Sequence, residues 1–455
     1  MVAIIRPPES VLNILRIFKR NGYDAYAVGG CIRDSILGKV PKDWDITTNA
    51  LPSAIKELFE KTVDTGLKHG TVTVMHENEA FEVTTFRIDG GYEDSRHPSQ
   101  VEFTAQLEED LCRRDFTMNA LAWNEERGIV DPFGGMEDTA AGLIRTVGSP
   151  EKRFQEDALR MLRAIRFAAQ LGFRIHDGTL RAICQNCSLI SNVSSERIRE
   201  ELTATLTADH PMKFLLLRET SLMKLILPEF EVCFNTPQHN PHHIYNVGEH
   251  SMYAAAAIEN DKCLRWTMLL HDTGKALTRT TDGKGIDHYY GHSVKSMNIA
   301  KAILERLRFD NRSMERIIRL IKFHDREIMP LPKAVAKAVH AVGDDIFPDL
   351  LKVKRADKSA QSPLDKQKGI EYVSLVESIY TGLKIEKRCL GIKDLTINGR
   401  DLIEMGFKEG TEVGRVLTLL LEKVLDEPAL NEKKVLTGLA AEIMVERDNT
   451  IGRML

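Results

Sequence analysis

The sequence predicts an α+β chain in which a mixed sheet comes first and helices follow. Residues 23–147 alternate short apolar runs with Gly and Asp turns, the pattern of strands joined by tight connections. From Ser149 onward apolar residues recur at helical spacing, as in Ala158, Leu162, Ile165 and Ala169 and again in Met314, Ile317, Ile318 and Ile321. A chain of 455 residues also exceeds what one hydrophobic core holds. The division expected is 1–148, 149–205, 206–380 and 381–455.

The elements follow in order. Pro7-Pro8-Glu9-Ser10 starts a helix whose apolar positions run from Val11 to Phe18, and Asn21-Gly22 stops it. This reads as a helix rather than a signal peptide. Strands are predicted at Ala25–Val28, Trp44–Thr47, Thr71–His76, Phe81–Ile88, Gln100–Phe103 and Leu143–Val147. Weaker breaks fall at Ser191-Asn192, Pro330 to Pro332, Ser362-Pro363 and Pro428, and Asn398-Gly399 reads as a turn into a last helical unit.

Composition narrows the function classes. Hydrophobic content of 43% with 28% charged residues describes a globular chain, and the net charge of −4 gives no global basic signature. A basic surface must be local. Lys152 to Arg174 supplies one, with six basic residues against two acidic ones. No apolar run approaches the length of a membrane span. The seven cysteines are scattered except Cys184 and Cys187, which lack a second ligand pair and read as buried or incidental thiols. A cytoplasmic protein is expected.

Chemistry concentrates near the start. Val28-Gly29-Gly30-Cys31-Ile32-Arg33-Asp34 follows an apolar strand. Two glycines let backbone N–H groups approach a phosphate, and Arg33 adds a forked donor. In Lys42-Asp43-Trp44-Asp45-Ile46, strand alternation sends Asp43 and Asp45 to one face and Trp44 to the other. Two carboxylates together suit Mg²⁺. Glu82 adds a third on another strand, and such a trio can serve nucleotidyl transfer with two metals. Either motif alone is an ordinary turn; their order and spacing point to a site. Further on, Arg114 can reach a triphosphate and Asp115 a ribose hydroxyl.

Glu156 to Arg166 is expected to be one helix, with Asp157 and Arg160 on one face and Arg163 and Arg166 further along it. A carboxylate only accepts hydrogen bonds and a guanidinium only donates them. Cytosine and adenine present an amino donor beside a ring-nitrogen acceptor, whereas uracil and guanine reverse that order. An Asp157/Arg160 pair could therefore admit C and A while rejecting U and G.

These motifs resemble the class II CCA-adding enzymes, tRNA nucleotidyltransferases of the bacterial poly(A) polymerase superfamily. The resemblance covers residues 23–205 and includes Asp131-Pro132-Phe133-Gly134-Gly135 and Val193-Ser194-Ser195-Glu196-Arg197-Ile198. It implies a nucleotidyltransferase head, a base-reading neck, a body and a tail that grips tRNA. It further implies CTP and ATP as substrates and the tRNA 3′ end as acceptor. Metal would sit at Asp43 and Asp45, with nucleotide contacts at Gly30, Arg33, Arg114, Asp157, Arg160, Arg163 and Arg166. The stretch Arg87 to Leu111, with Tyr92 to Pro98, resembles the flexible loop that accompanies addition of the terminal A. Enzymes adding A alone or a longer poly(A) tail remain alternatives.

Eight of fourteen histidines lie between His239 and His324. His239, His242 and His243 read as ordinary histidines. The order of His250, His271-Asp272 and Asp357 resembles the HD phosphohydrolases. That resemblance implies a transition metal (Ni, Mn, Co or Fe) on those four residues, with His292 and His324 candidates for a second. An HD phosphohydrolase acting on RNA or nucleotide phosphates is the reading from another class. Monomer and homodimer remain open.

Overall fold

The computed structural model describes residues 5–90, 101–239 and 244–451. The chain forms two compact units. One runs to Glu231 and includes Arg306–Phe309; the other takes Val232–Glu305 and the chain from Asp310 onward. The content, 60% helix and 11% strand, is that of the expected α+β chain.

The first unit is built on a seven-stranded mixed sheet of order β3-β4-β5-β2-β1-β8-β9. Its strands are β1 (Ala25–Val28), β2 (Asp45–Thr48), β3 (Thr62–Gly66), β4 (Thr71–His76), β5 (Glu79–Thr85), β8 (Ala122–Asn124) and β9 (Gly128–Val130). A separate ribbon pairs β6 (Arg87–Asp89) with β7 (Val101–Phe103). Strand β1 is buried throughout because both sheet faces are covered. Ala25 and Ala27 join Val11, Ile14 and Phe18 of helix Glu9–Arg20 in one core. Tyr26 and Val28 point the other way, toward Phe86, Leu107 and Leu111.

The apolar stripe forms as expected: Ala158, Leu162, Ile165 and Ala169 are all buried. The single helix expected across Glu156–Arg166 does not. Helix Pro150–Glu156 ends at Asp157, which is extended (φ −145°, ψ 105°), and a new helix runs Leu159–Leu171. The Asp157 carboxylate accepts the Leu159 N–H at 3.0 Å, the local competition by which Asp interrupts a helix. Among the described residues the second unit is helical apart from loops and the short hairpin Thr280–Thr281/Asp287–His288. Helices Pro332–Val342 and Pro363–Ile385 begin at the predicted breaks, and Asn398 caps helix Gly399–Glu404.

Candidate transferase and metal sites

One end of the sheet gathers the first site. Val28 of β1 pairs antiparallel with Asp45, and β2 runs parallel to β5 with Ile46 opposite Val83. One step back in that register, Asp45 stands level with Glu82. Asp43 lies just outside the strand; it and Asp45 are exposed while Trp44 is buried, as alternation requires. Asp45 opens to solvent on one side but is otherwise enclosed. Its pKa is raised chiefly by that desolvation, and Glu82 and Asp43 add to the rise while Arg114 opposes it. A divalent cation among three carboxylates would relieve the same strain. The oxygens of Asp43, Asp45 and Glu82 do not close into a tight metal-sized group among the described residues.

Gly29 ends β1 at φ +84°, ψ −128° and leads into helix Gly30–Ile36. A Cβ there would come within 3.1 Å of the Arg114 guanidinium, so glycine brings that arginine onto the strand end. The buried Arg114 Nε has no hydrogen-bond partner. Arg33, expected to hold phosphate, donates from Nε and Nη2 to Asp34 (2.9 and 2.7 Å) and from Nη1 to Asn119 (2.7 Å). Asp115 is buried against Arg163, whose Nε and Nη2 reach Oδ2 at 2.8 and 2.7 Å. Burial alone would raise the Asp115 pKa, but Arg163 and Asn119 hold it down at about 2.

Asp157 and Arg160, expected to read one base together, each hold a different partner. Asp157 accepts from Arg197 at 2.8 Å, whereas Arg160 binds Glu156 at 2.7 Å and the Arg113 carbonyl at 2.9 Å. Arg166 is likewise held by Glu201 at 2.7 Å. Arg197 and Glu201 sit four apart on helix Ser195–Leu206, one face of which holds two of the predicted neck residues. Sequence reading missed Asn119, Glu156, Arg197 and Glu201 as partners. Asn119, Glu156 and Arg197 lay within stretches already singled out, without a role assigned; Glu201 gave no local signal.

The second unit brings all six predicted metal-binding residues into two groups that share Asp272: His250, His271, Asp272 and Asp357, and Asp272, His292 and His324. Asp357 Oδ1 lies 3.0 Å from His250 Nε2 and 3.5 Å from His271 Nε2. Asp272 turns Oδ2 to His271 (3.2 Å) and Oδ1 to His292 and His324 (3.3 and 3.5 Å). Each histidine is oriented through its other nitrogen. The Nδ1 atoms of His250, His271, His292 and His324 meet the carbonyls of Ala360, Met268, Tyr289 and Ile321 at 3.3, 2.7, 2.9 and 2.7 Å. With the proton on Nδ1, each ring would turn an Nε2 lone pair toward the centre, the form a metal ligand needs. The buried His271 Nε2 has no hydrogen-bond partner. Burial would depress the His271 pKa, yet Asp272 and Asp357 raise it, so the cluster draws in positive charge, whether a proton or a metal ion. The buried carboxylates demand positive charge, so the donor set fits a metal.

Around this cluster lies a cleft of about 410 Å³ whose lining includes Lys275, Arg326, Lys354 and Lys358. Lys275 Nζ is fixed 2.7 Å from Asp272 and donates to Gln238 at 2.9 Å. Gly274 lets its turn approach the start of helix His292–Arg306: a Cβ would sit 2.4 Å from the His292 carbonyl. His239 is an exposed histidine, as expected; His242, His243 and residues Tyr92 to Pro98 lie outside the described residues. All seven cysteines are free, and Cys184 is exposed rather than buried.

Three stretches of the chain match known domain families. Residues 25–145 match the poly A polymerase head domain, 172–234 the probable RNA and SrmB-binding site of polymerase A, and 242–361 the HD domain. A CCA-adding enzyme of Limosilactobacillus fermentum is 32% identical over 436 residues, 96% of this chain and 97% of that one. The chain belongs to the CCA-adding enzyme family. A CCA-adding enzyme of Geobacillus kaustophilus is 52% identical over 220 residues, a match spanning 48% of this chain and about half (54%) of the relative's length. The crystal structure of the Bacillus stearothermophilus CCA-adding enzyme in complex with CTP superposes with a TM-score of 0.72 at 31% identity, covering 98% of this chain and all of that one. No helix among the described residues is long and apolar enough to cross a membrane.

Proposed function

We propose that this protein completes the 3′ end of tRNA by adding C, C and A from CTP and ATP. The observation that carries the reading is the meeting of Asp45, Glu82, Asp43 and Arg114 at the strand end behind Gly29. Asp43 and Asp45, with Glu82 alongside, would hold Mg²⁺, which in two-metal nucleotidyl transfer activates the acceptor hydroxyl and neutralises the leaving pyrophosphate. Arg114, whose Nη2 is held only loosely by Asp110 at 3.5 Å, offers a donor to the triphosphate. Asp115, kept ionised by Arg163, offers an acceptor to a ribose hydroxyl. Arg33 would reach phosphate only by giving up Asp34 or Asn119. Asp157 and Arg160 read the base only if nucleotide displaces Arg197 and Glu156 from them, an exchange of one polar partner for another. In this reading residues 1–148 are the head, 149–205 the neck, 206–380 the body and 381–455 the tRNA-gripping tail, and the protein acts in the cytoplasm. The test is to incubate the protein with tRNA lacking CCA and each NTP separately and together. Incorporation confined to C, C and then A is expected; A alone or a long A tract overturns it.

Asp272, shared by two histidine groups, favours a second activity: a metal-dependent phosphohydrolase in the HD unit. His250, His271, Asp272 and Asp357 would hold one transition ion, and Asp272, His292 and His324 another. Such ions polarise a phosphoryl oxygen and supply a water nucleophile. Lys275, Arg326, Lys354 and Lys358, set among Asp272, Asp325, Glu327 and Asp357, supply cationic contacts for a phosphate held by the ions. Hydrolysis of a phosphomonoester or a 2′,3′-cyclic phosphate with Ni²⁺, Mn²⁺ or Co²⁺ is expected; none with any of them assigns the cluster a structural role.

A further inference from the structure

Three guanidinium groups of the first site converge on one aromatic ring. Arg33, Arg163 and Arg166 lie 5.2, 5.5 and 4.3 Å from the Phe167 ring centroid. Phe167 is buried, and Phe116 packs edge-on to it at 5.8 Å and 84°. The three arginines come from two separate helices, Gly30–Ile36 and Leu159–Leu171. Each has its own anion: Asp34 for Arg33, Asp115 for Arg163 and Glu201 for Arg166. Those pairs set where each guanidinium is tethered. They do not explain why three like charges crowd together in a poorly solvated place. Burial lowers the Arg166 pKa, and repulsion from Arg163 adds to that. An aromatic face carries negative potential and attracts cations most strongly where water is excluded. A leucine of similar volume would fill the space without that potential.

We infer that Phe167 is a positioning residue for nucleotide binding: its ring keeps Arg33, Arg163 and Arg166 clustered, so that a nucleoside triphosphate drawing Arg33 from Asp34 or Asn119 finds the other two cations beside it. The inference rests on the transferase reading of this site. The ring touches no substrate. It acts through the arginines, so its effect belongs in substrate affinity, with the chemical step little changed. Carboxylate tethers alone would leave each arginine at the mercy of its neighbours' repulsion.

The test separates ring electrostatics from packing. Phenylalanines carrying one, two and three fluorines are placed at position 167 of the full-length protein. Fluorine drains the ring's negative face with little change in size. CTP binding is measured by calorimetry, and KM and kcat are measured with tRNA lacking CCA. Each fluorine is expected to weaken CTP further, to about tenfold in Kd and KM by the last, with kcat within about twofold and an unchanged Tm. Phe167→Leu should weaken CTP at least as much. A flat Kd across the fluorine series, or losses that track Tm, overturn the inference. A wild type that binds CTP yet transfers no nucleotide sinks the transferase reading alone, and the series still decides the role of Phe167. A wild type that does not bind CTP overturns both.

Discussion

The carboxylate site of the first unit and the histidine cluster of the second both suit cations, but they are finished to different degrees. Of the six candidate metal ligands of the second unit, five are buried and Asp357 is partly so; backbone carbonyls orient the four histidines, and Asp272 is shared between the two groups. The carboxylates of the first unit sit at a strand end with Asp43 and Asp45 exposed, and their oxygens remain spread. The difference follows from ligand chemistry. Imidazole ligands must be desolvated, held in one tautomer and aimed before an ion arrives, so the fold builds that site completely. A Mg²⁺ site for nucleotidyl transfer takes some of its oxygens from the triphosphate. It can remain open until substrate completes it.

The largest expected effect tests the open site. Asp43→Ala and Asp45→Ala should each cut nucleotide addition by about a thousandfold or more, read as label incorporated into tRNA lacking CCA. Retention of tRNA binding marks the loss as chemical, and substantial addition by either variant removes these residues from the metal site. Next in size is the closed site. Asp272→Asn should lose both bound ions, whereas His292→Ala should lose one, with affinity falling about 10–100-fold or more at each affected position. Metal content by plasma mass spectrometry gives the count, and equal losses in the two variants would break the shared-ligand picture. Both variants should still complete CCA with Mg²⁺; failure there means the two sites are coupled.

Asp157→Ala should lower discrimination of CTP over UTP by about tenfold or more while leaving triphosphate affinity within severalfold. Competition between the two nucleotides reads this directly. A variant that loses activity with selectivity intact hands base reading to another group. The smallest effect concerns Asp115. Its folded pKa is depressed to about 2, so the stability it contributes is fully present above its unfolded value near 4 and is lost as pH falls through about 2. Asp115→Asn should therefore cost about 2 kcal/mol in urea unfolding at pH 7. The gap to wild type should narrow only below about pH 4. A gap that is constant with pH assigns the cost to packing alone.

Much of the first sheet was legible because its strands are apolar and bounded by turn residues: β1 and β4 fall on the predicted residues, and β2 is displaced by one. Strand β3 went unseen because Thr62–Gly66 is an exposed edge with no apolar alternation. The pair β8 and β9 went unseen because three-residue strands are too short to show a period.

The sequence by itself determined which groups could do chemistry: acids at alternating positions, glycines behind a strand, and histidines followed by aspartates. These are choices of residue type and local spacing, and local spacing is written along the chain. Tertiary structure alone decided their partners. Only folding sets Arg197 on Asp157, Glu201 on Arg166, three arginines about Phe167, and Asp272 between two sets of histidines. Asp157 and Arg197 are 40 residues apart, and Asp272 and Asp357 are 85. No helical or strand period spans such distances, so these contacts exist only once the cores have closed.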